Sequence, residues 1–238
     1  MAAHSKKKAL TIGVLLAISF IVILVLIFSP IFGEGRNGLQ FSDDMFNKLA
    51  KGSSYFIPKV MKQNEGFMGK TFTVTLKIEK EKEASNAVKV LTKAGAQVEA
   101  KGNELKVSGD LGSLMARVLE DSDAMFKNEG KKVSDLYGMN EKDVMKTWWS
   151  VMNEMDKQFK KQKNIDMANH VTEVSKKAVE TSYNFYKIEA QNVSDKAVLM
   201  TGLLIFYVIY TMWWGFAIFF IFDGIGLSMK KAKVKKEV

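Results

Sequence analysis

Apolar residues follow three different rhythms along this chain. Residues 9–32 carry no charge and are almost continuously apolar, and residues 197–222 repeat the pattern near the other end. At about 1.5 Å of rise per residue, each run reaches across the roughly 30 Å of a bilayer's hydrocarbon core. In hydrocarbon every backbone amide needs a partner within its own segment, so both runs are expected to be membrane-crossing helices. Pro30 is expected to mark the exit of the first, since it supplies no N–H for a further helical turn.

The second rhythm has period two. Phe72, Val74, Leu76 and Ile78 alternate with Thr71, Thr73, Thr75, Lys77 and Glu79, which predicts a strand buried on one side. A helix should follow, because Ala84, Ala87, Val88 and Leu91 share one helical face and Gly95 stands where a C-terminal cap belongs. Two short strands, 96–100 and 104–108, flank the turn pair Gly102-Asn103. Asp110 can cap a further helix that turns Leu111, Leu114, Met115, Val118 and Met125 inward, and residues 131–137 suit a fourth strand. The order β-α-β-β-α, closing with β, is the split-βαβ or ferredoxin-like arrangement. That fold hosts many functions and specifies none.

The third rhythm is a pair of helical stripes. Val144, Trp148, Val151, Met155 and Phe159 step by three and four, as do Val171, Val174, Ala178, Thr181, Phe185 and Ile188, with Lys163-Asn164 as the turn between them. No proline or glycine occurs from 140 to 196, so the second arm of this hairpin is expected to continue unbroken into the second span. Ahead of the strand, Ser42, Asp43 and Asp44 can cap a helix, and Gly52-Ser53-Ser54 with Pro58 should divide the segment into two short helices or one bent one.

The expected fold class is therefore an α+β membrane protein. Residues 1–8 form a basic tail, 9–32 the first span, 34–69 a membrane-proximal helical segment, and 70–138 a small α/β domain. Residues 139–196 form the hairpin, 197–224 the second span and 225–238 a second basic tail. Lys6, Lys7 and Lys8 precede the first span; Lys230, Lys231, Lys233, Lys235 and Lys236 follow the second. By the positive-inside rule these lysines put both termini in the cytoplasm and the middle of the chain on the far side. A secretory signal would have a shorter apolar run and a small-residue cleavage site, and neither is found near Ser29–Gly35, so the first run reads as a retained anchor.

Charge then changes the picture in one respect. The net charge is +9, yet residues 34–196 hold 27 lysines and arginines against 24 acidic residues. The excess sits in the tails and is a topology signal, not a nucleic-acid footprint. The absence of cysteine excludes disulfides, thiol catalysis and cysteine-based metal sites. A far-side domain without disulfides fits a bacterial inner membrane, with that domain in the periplasm.

Candidate chemistry is sparse. His170 has no Cys, His or carboxylate set at ligand spacing and reads as a helix-surface residue. Met139, Met145, Met152, Met155 and Met167 read as adaptable core filler or a partner-binding face. Asp223 closes the second span and can pair with Lys230 or Lys231. The Gly66–Gly69 and Gly109–Gly112 steps read as turn punctuation, and no nucleophile elbow, HExxH or phosphate-loop motif occurs. No cofactor or metal is expected.

Two aromatic sets remain. Trp148 and Trp149 with Met152 are a candidate face for an extracytoplasmic protein. Phe206, Tyr210, Trp213 and Trp214 are a candidate face for integral membrane subunits, because an indole N–H deep in a span needs an acceptor. The expected function is a non-enzymatic accessory or scaffold subunit of an inner-membrane complex. Alternatives are a sensor signalling through the second span, or a homo-oligomeric assembly regulator. In topology alone, the two spans and the outer α/β-plus-helix domain resemble the polysaccharide co-polymerases. The proline-rich segment such proteins carry at their second span is absent here.

Overall fold

The computed structural model describes residues 2–102 and 104–227. In order, its elements are helix α1 (Ala2–Phe28), α2 (Gly38–Ser53), α3 (Ile57–Asn64), a single 3-10 turn (Glu65–Phe67), strand β1 (Thr71–Lys77), α4 (Glu81–Lys93), β2 (Gln97–Lys101), β3 (Glu104–Asp110), α5 (Leu111–Phe126), α6 (Gly130–Tyr137), α7 (Glu141–Lys161), α8 (Ile165–Val174), a π-helical stretch (Ser175–Glu180), α9 (Thr181–Phe185) and α10 (Val193–Ile225). The protein is thus mostly helical with one small sheet. Its contacts divide it into two units, one built from the terminal segments up to Phe46 and from Asn192 onward, the other from Asn47–Gln191.

In the terminal unit, α1 and α10 are long and apolar enough to cross a membrane. They pack antiparallel through small residues. A Cβ on Gly13 would meet Ile221 N at 2.6 Å and Ala217 O at 3.0 Å, and one on Gly224 would meet Leu10 at 2.6 Å. Such close approach of two backbones is how helices associate where hydrophobic burial offers no driving force. Further along, Phe20 stacks on Tyr210 with ring centroids 4.1 Å apart and meets Trp214 at a tilt, 4.7 Å away, and the Tyr210 hydroxyl donates to Phe20 O at 3.3 Å. The first helix ends at Phe28, just before Pro30, where its sequence places the exit. Lys230, Lys231, Lys233, Lys235 and Lys236, and the proposed pairing of Asp223 with two of them, lie outside the described residues.

In the central unit, the sheet is antiparallel with order β1-β3-β2. Its register runs from Thr71 opposite Asp110 to Lys77 opposite Glu104, and from Gln97 opposite Ser108 to Lys101 opposite Glu104. Phe72, Val74, Leu76, Leu105 and Val107 enter the core, while Thr71, Thr73, Thr75 and Lys77 are exposed. A slip of one residue would bury three threonines and a lysine, so the alternation fixes the register. Asp110 caps α5 by accepting from Ser113 N at 2.7 Å, as its position predicts. Gly95 takes the left-handed conformation (φ +84°) that ends α4. The two α7–α8 arms meet at a turn with Lys163 at φ +60°.

Four expectations are corrected. Residues 131–137 are not a fourth strand but helix α6, because Val133 and Tyr137 at helical spacing both bury. Helix α2 starts at Gly38, not after Ser42: Asn37 Oδ1 accepts from Gln40 N at 2.9 Å while Gln40 Oε1 accepts from Asn37 N at 3.0 Å, a reciprocal cap. The hairpin does not continue into the second long helix. After α9 ends at Phe185, Tyr186 is extended and Lys187 turns to φ +68°, with its N–H held by Asn128 Oδ1 at 2.8 Å. Finally, His170 is buried, only 3 % exposed.

A strap follows that break. Lys51, 3 % exposed, donates from Nζ to Ile188 O at 2.6 Å and to Asn128 Oδ1 at 3.0 Å, and Asn128 Nδ2 also donates to Ile188 O at 3.1 Å. Gln191 N then bonds Lys48 O at 3.1 Å. Burial holds the Lys51 ammonium below the usual lysine range, opposed by Glu189.

Candidate functional site

Helix α7 carries an apolar stripe of Val144, Trp148, Val151, Met152, Met155 and Phe159, all buried. Trp148 donates from Nε1 to Asp121 Oδ2 at 2.9 Å, and the same oxygen accepts from the Tyr137 hydroxyl at 2.5 Å. Burial raises the Asp121 pKa against the pull of these two bonds, and burial also raises that of Tyr137. Asp121 is 2 % exposed, so this cluster orders the core. Trp148 and Met152 therefore leave the expected partner face. They lie on the inward stripe of their helix, and an aromatic pair at consecutive positions cannot share one helical face.

Trp149 behaves differently. It points off the stripe and is 48 % exposed, with Nε1 donating to Glu180 Oε1 at 2.9 Å. Two clefts border it. One, of about 380 Å³, is lined by Met145, Lys146, Val179, Glu180, Tyr183 and Asn184. The other, of about 420 Å³, is lined by Ile78, Lys82, Glu83, Asp143, Thr147 and Ser150 among others. Trp149 and Lys146 line both. Lys142 and Lys146, one helical turn apart, sit over the Tyr183 ring at 5.2 and 5.9 Å from its centroid. Ring and ammonium attract in this geometry. The result is a half-exposed indole beside a partly buried phenol, with Lys142, Lys146 and Glu180 around them.

The π-helical stretch sets this geometry. Its wider turn inserts one residue into the helix, which brings Glu180 to the Trp149 N–H. The Thr181 hydroxyl follows the same wide spacing, donating to Lys176 O at 2.9 Å. A third, more polar cleft of about 240 Å³ lies beside it, between Asn153, Asp156, Lys160, Thr172, Ser175 and Lys176. The Thr172 hydroxyl and Lys160 Nζ both donate to Asp156 there, at 3.0 and 2.7 Å.

His170 packs face to face on Phe67 at 3.9 Å, and its Nε2 lies 2.8 Å from Asn64 Oδ1. Asn64 Nδ2 in turn donates to Gly112 O at 2.8 Å. Burial depresses the imidazole pKa to about 4, with Glu173 opposing and Lys70 assisting. No group of three or more His, Cys, Asp and Glu suited to a metal occurs among the described residues. Met145, Met152, Met155 and Met167 are core members, the filler role their softness suits.

Of the expected membrane face, Tyr210 and Trp214 contact Phe20 of α1 within the chain, and Phe206 stacks on Tyr210 at 5.4 Å. Trp213 Nε1 is buried without an acceptor. The sequence reading overlooked Glu180, Tyr183, Lys142 and Lys146. The two lysines at i and i+4 were visible as a pattern, but the π-helical insertion that brings Glu180 to Trp149 leaves no local signal. No protein-family model, curated protein or solved structure matches this chain.

Proposed function

We propose that the chain is a non-enzymatic accessory subunit of a bacterial inner-membrane complex, docking an extracytoplasmic protein through the face centred on Trp149. In this reading α1 and α10 span the membrane, both lysine-tipped termini are cytoplasmic, and the central unit is periplasmic. The observation that carries the proposal is Trp149 itself, an exposed indole held in one orientation between two clefts. Interfaces concentrate their binding energy in such aromatic anchors. The strand order β1-β3-β2 with crossing helices supports a ferredoxin-like core that lacks its last strand, a scaffold suited to docking. The aromatic exterior of α10 supports contact with integral membrane subunits, with exposed Phe206 and Trp214 as its candidates and the acceptorless Trp213 N–H beside them.

The test is a photo-crosslinking amino acid at position 149 in the full chain, in native membranes, compared with the same group at exposed Lys93. Capture of a discrete protein at 149 and not at 93 is expected. Equal capture at both, with the chain migrating alone after mild detergent extraction, overturns the reading. Protease added to intact spheroplasts should digest the central unit, and survival of that unit would overturn the topology.

A further inference from the structure

We propose that β1 is the pairing edge of a symmetric dimer, in which two copies of this chain join β1 to β1 antiparallel about a two-fold axis at Val74. The inference does not rest on the Trp149 reading.

The two edges of the sheet differ. β2 has five residues and carries Glu99 and Lys101. β1 has seven, is uncharged from Thr71 to Leu76, and contains neither proline nor bulge, its register with β3 running without a slip. Charges, prolines and bulges are the usual protection of a free edge, and β1 keeps only the terminal Lys77.

Ladder parity shows what β1 offers. Lys70 O accepts from Leu111 N at 2.9 Å, which makes that couple a hydrogen-bonded pair. The alternation of an antiparallel ladder then commits Phe72, Val74 and Leu76 to β3. Thr71, Thr73, Thr75 and Lys77 turn their N–H and C=O groups outward, and all four side chains are exposed. Thr73 O is taken by a side chain, accepting from Gln162 Nε2 at 2.9 Å. In a complete ferredoxin-like sheet a further strand would lie beside β1; here the residues in the expected position form α6.

The sequence of β1 is complementary to itself. An axis at Val74 sets Thr73 opposite Thr75 of the second copy, Phe72 opposite Leu76 and Thr71 opposite Lys77. Outward-facing groups then meet outward-facing groups along the whole strand. An axis between two residues would set outward groups against groups already bonded to β3. Axes at Thr73 or Thr75 leave part of the strand unpaired. The two-fold keeps both apolar faces on one side of the joined sheet and both polar faces on the other. Cross-strand threonine pairs suit the polar face, and no like charges are opposed. Gln162 is then a plug that the incoming strand displaces from Thr73 O. A sheet of order β2-β3-β1-β1-β3-β2 results, with β1 no longer an edge.

The test uses the full chain in mild detergent or nanodiscs. Thr75→Pro removes one outward N–H and leaves every bond to β3 in place, which an edge strand tolerates. It should lower the dimer population about tenfold by native mass spectrometry, while Gln162→Ala should not lower it. Because the chain has no cysteine, single thiols report cleanly. T73C and T75C chains carrying different tags and made together should form a disulfide-linked heterodimer on mild oxidation, whereas T73C alone should not. This second arm decides the matter if Thr75→Pro fails to fold. A chain monomeric at every concentration, a dimer indifferent to Thr75→Pro, T73C homodimers as abundant as the mixed pair, or β1 paired with a strand of another protein would each overturn the proposal.

Discussion

Acid should destabilise the central unit through one imidazole. His170 is 3 % exposed, stacks on Phe67 and shares a hydrogen bond with Asn64, and its pKa lies near 4 in place of the ordinary 6.5. A histidine whose folded pKa is depressed binds fewer protons folded than unfolded between those two values. Stability therefore rises with pH through that window; the full contribution is present above pH 6.5 and is lost as the pH falls toward 4. The shift corresponds to about 3 kcal/mol, a large part of an ordinary domain's stability. The ionisable groups facing the ring are Glu173, which favours protonation, and Lys70, which opposes it. Glu173 is itself held below the usual carboxylate range, chiefly by its hydrogen bond from Lys177, so it stays charged through most of the window. The perturbation is His170→Gln, which keeps an amide within reach of Asn64 and does not titrate. Thermal unfolding of the detergent-solubilised chain, followed by tryptophan fluorescence from pH 7.5 to 4.0, should show wild type losing stability relative to the variant. The difference between them should change by about 3 kcal/mol across the range and stay flat above pH 7. Parallel curves, or the His170 imidazole NMR resonance (assigned by its loss in His170→Gln) titrating near 6.5, would refute the reasoning.

Two further outcomes follow from buried polar groups. Asp121→Ala leaves the Tyr137 hydroxyl and the Trp148 N–H without their acceptor and should cost about 2–5 kcal/mol in the same melts, whereas Asp121→Asn should cost markedly less. Lys51→Met preserves bulk but leaves Ile188 O with the Asn128 amide alone; trypsin cleavage after Lys187 should accelerate about tenfold, and an unchanged rate would show that the strap is held by other means.

Segments whose fate depends on their own pattern were legible in the sequence. The alternation of residues 71–77 and the stripe from Val144 to Phe159 each report a face, because burial on one side imposes a period. What failed depended on distant partners. Nothing around Phe185 announces a break; Lys187 adopts its left-handed turn because Asn128, far upstream, accepts its N–H. His170 looked solvent-facing because Asn64 and Phe67, which enclose it, lie about a hundred residues away. Residues 131–137 were misjudged because Val133 and Tyr137 satisfy a helical spacing and an alternating one equally, and the hydrogen bond from Tyr137 to Asp121 accompanies the helical choice. Of the candidate site, Trp149 was found and its setting was not, since the π-helical register that delivers Glu180 emerges only when α7 and the π-helical stretch pack together.

The strap between Lys48 and Gln191 makes the central unit a portable cassette. The segment begins and finishes at the same spot, one backbone hydrogen bond apart, so its fold asks of its surroundings chiefly a helical lead into Asn47, which lies within α2. Spliced in at the end of a helix of an unrelated host, so that α2 keeps a preceding turn, Asn47–Gln191 should fold there; with its ends fused, it should accept new termini at the Lys163 turn.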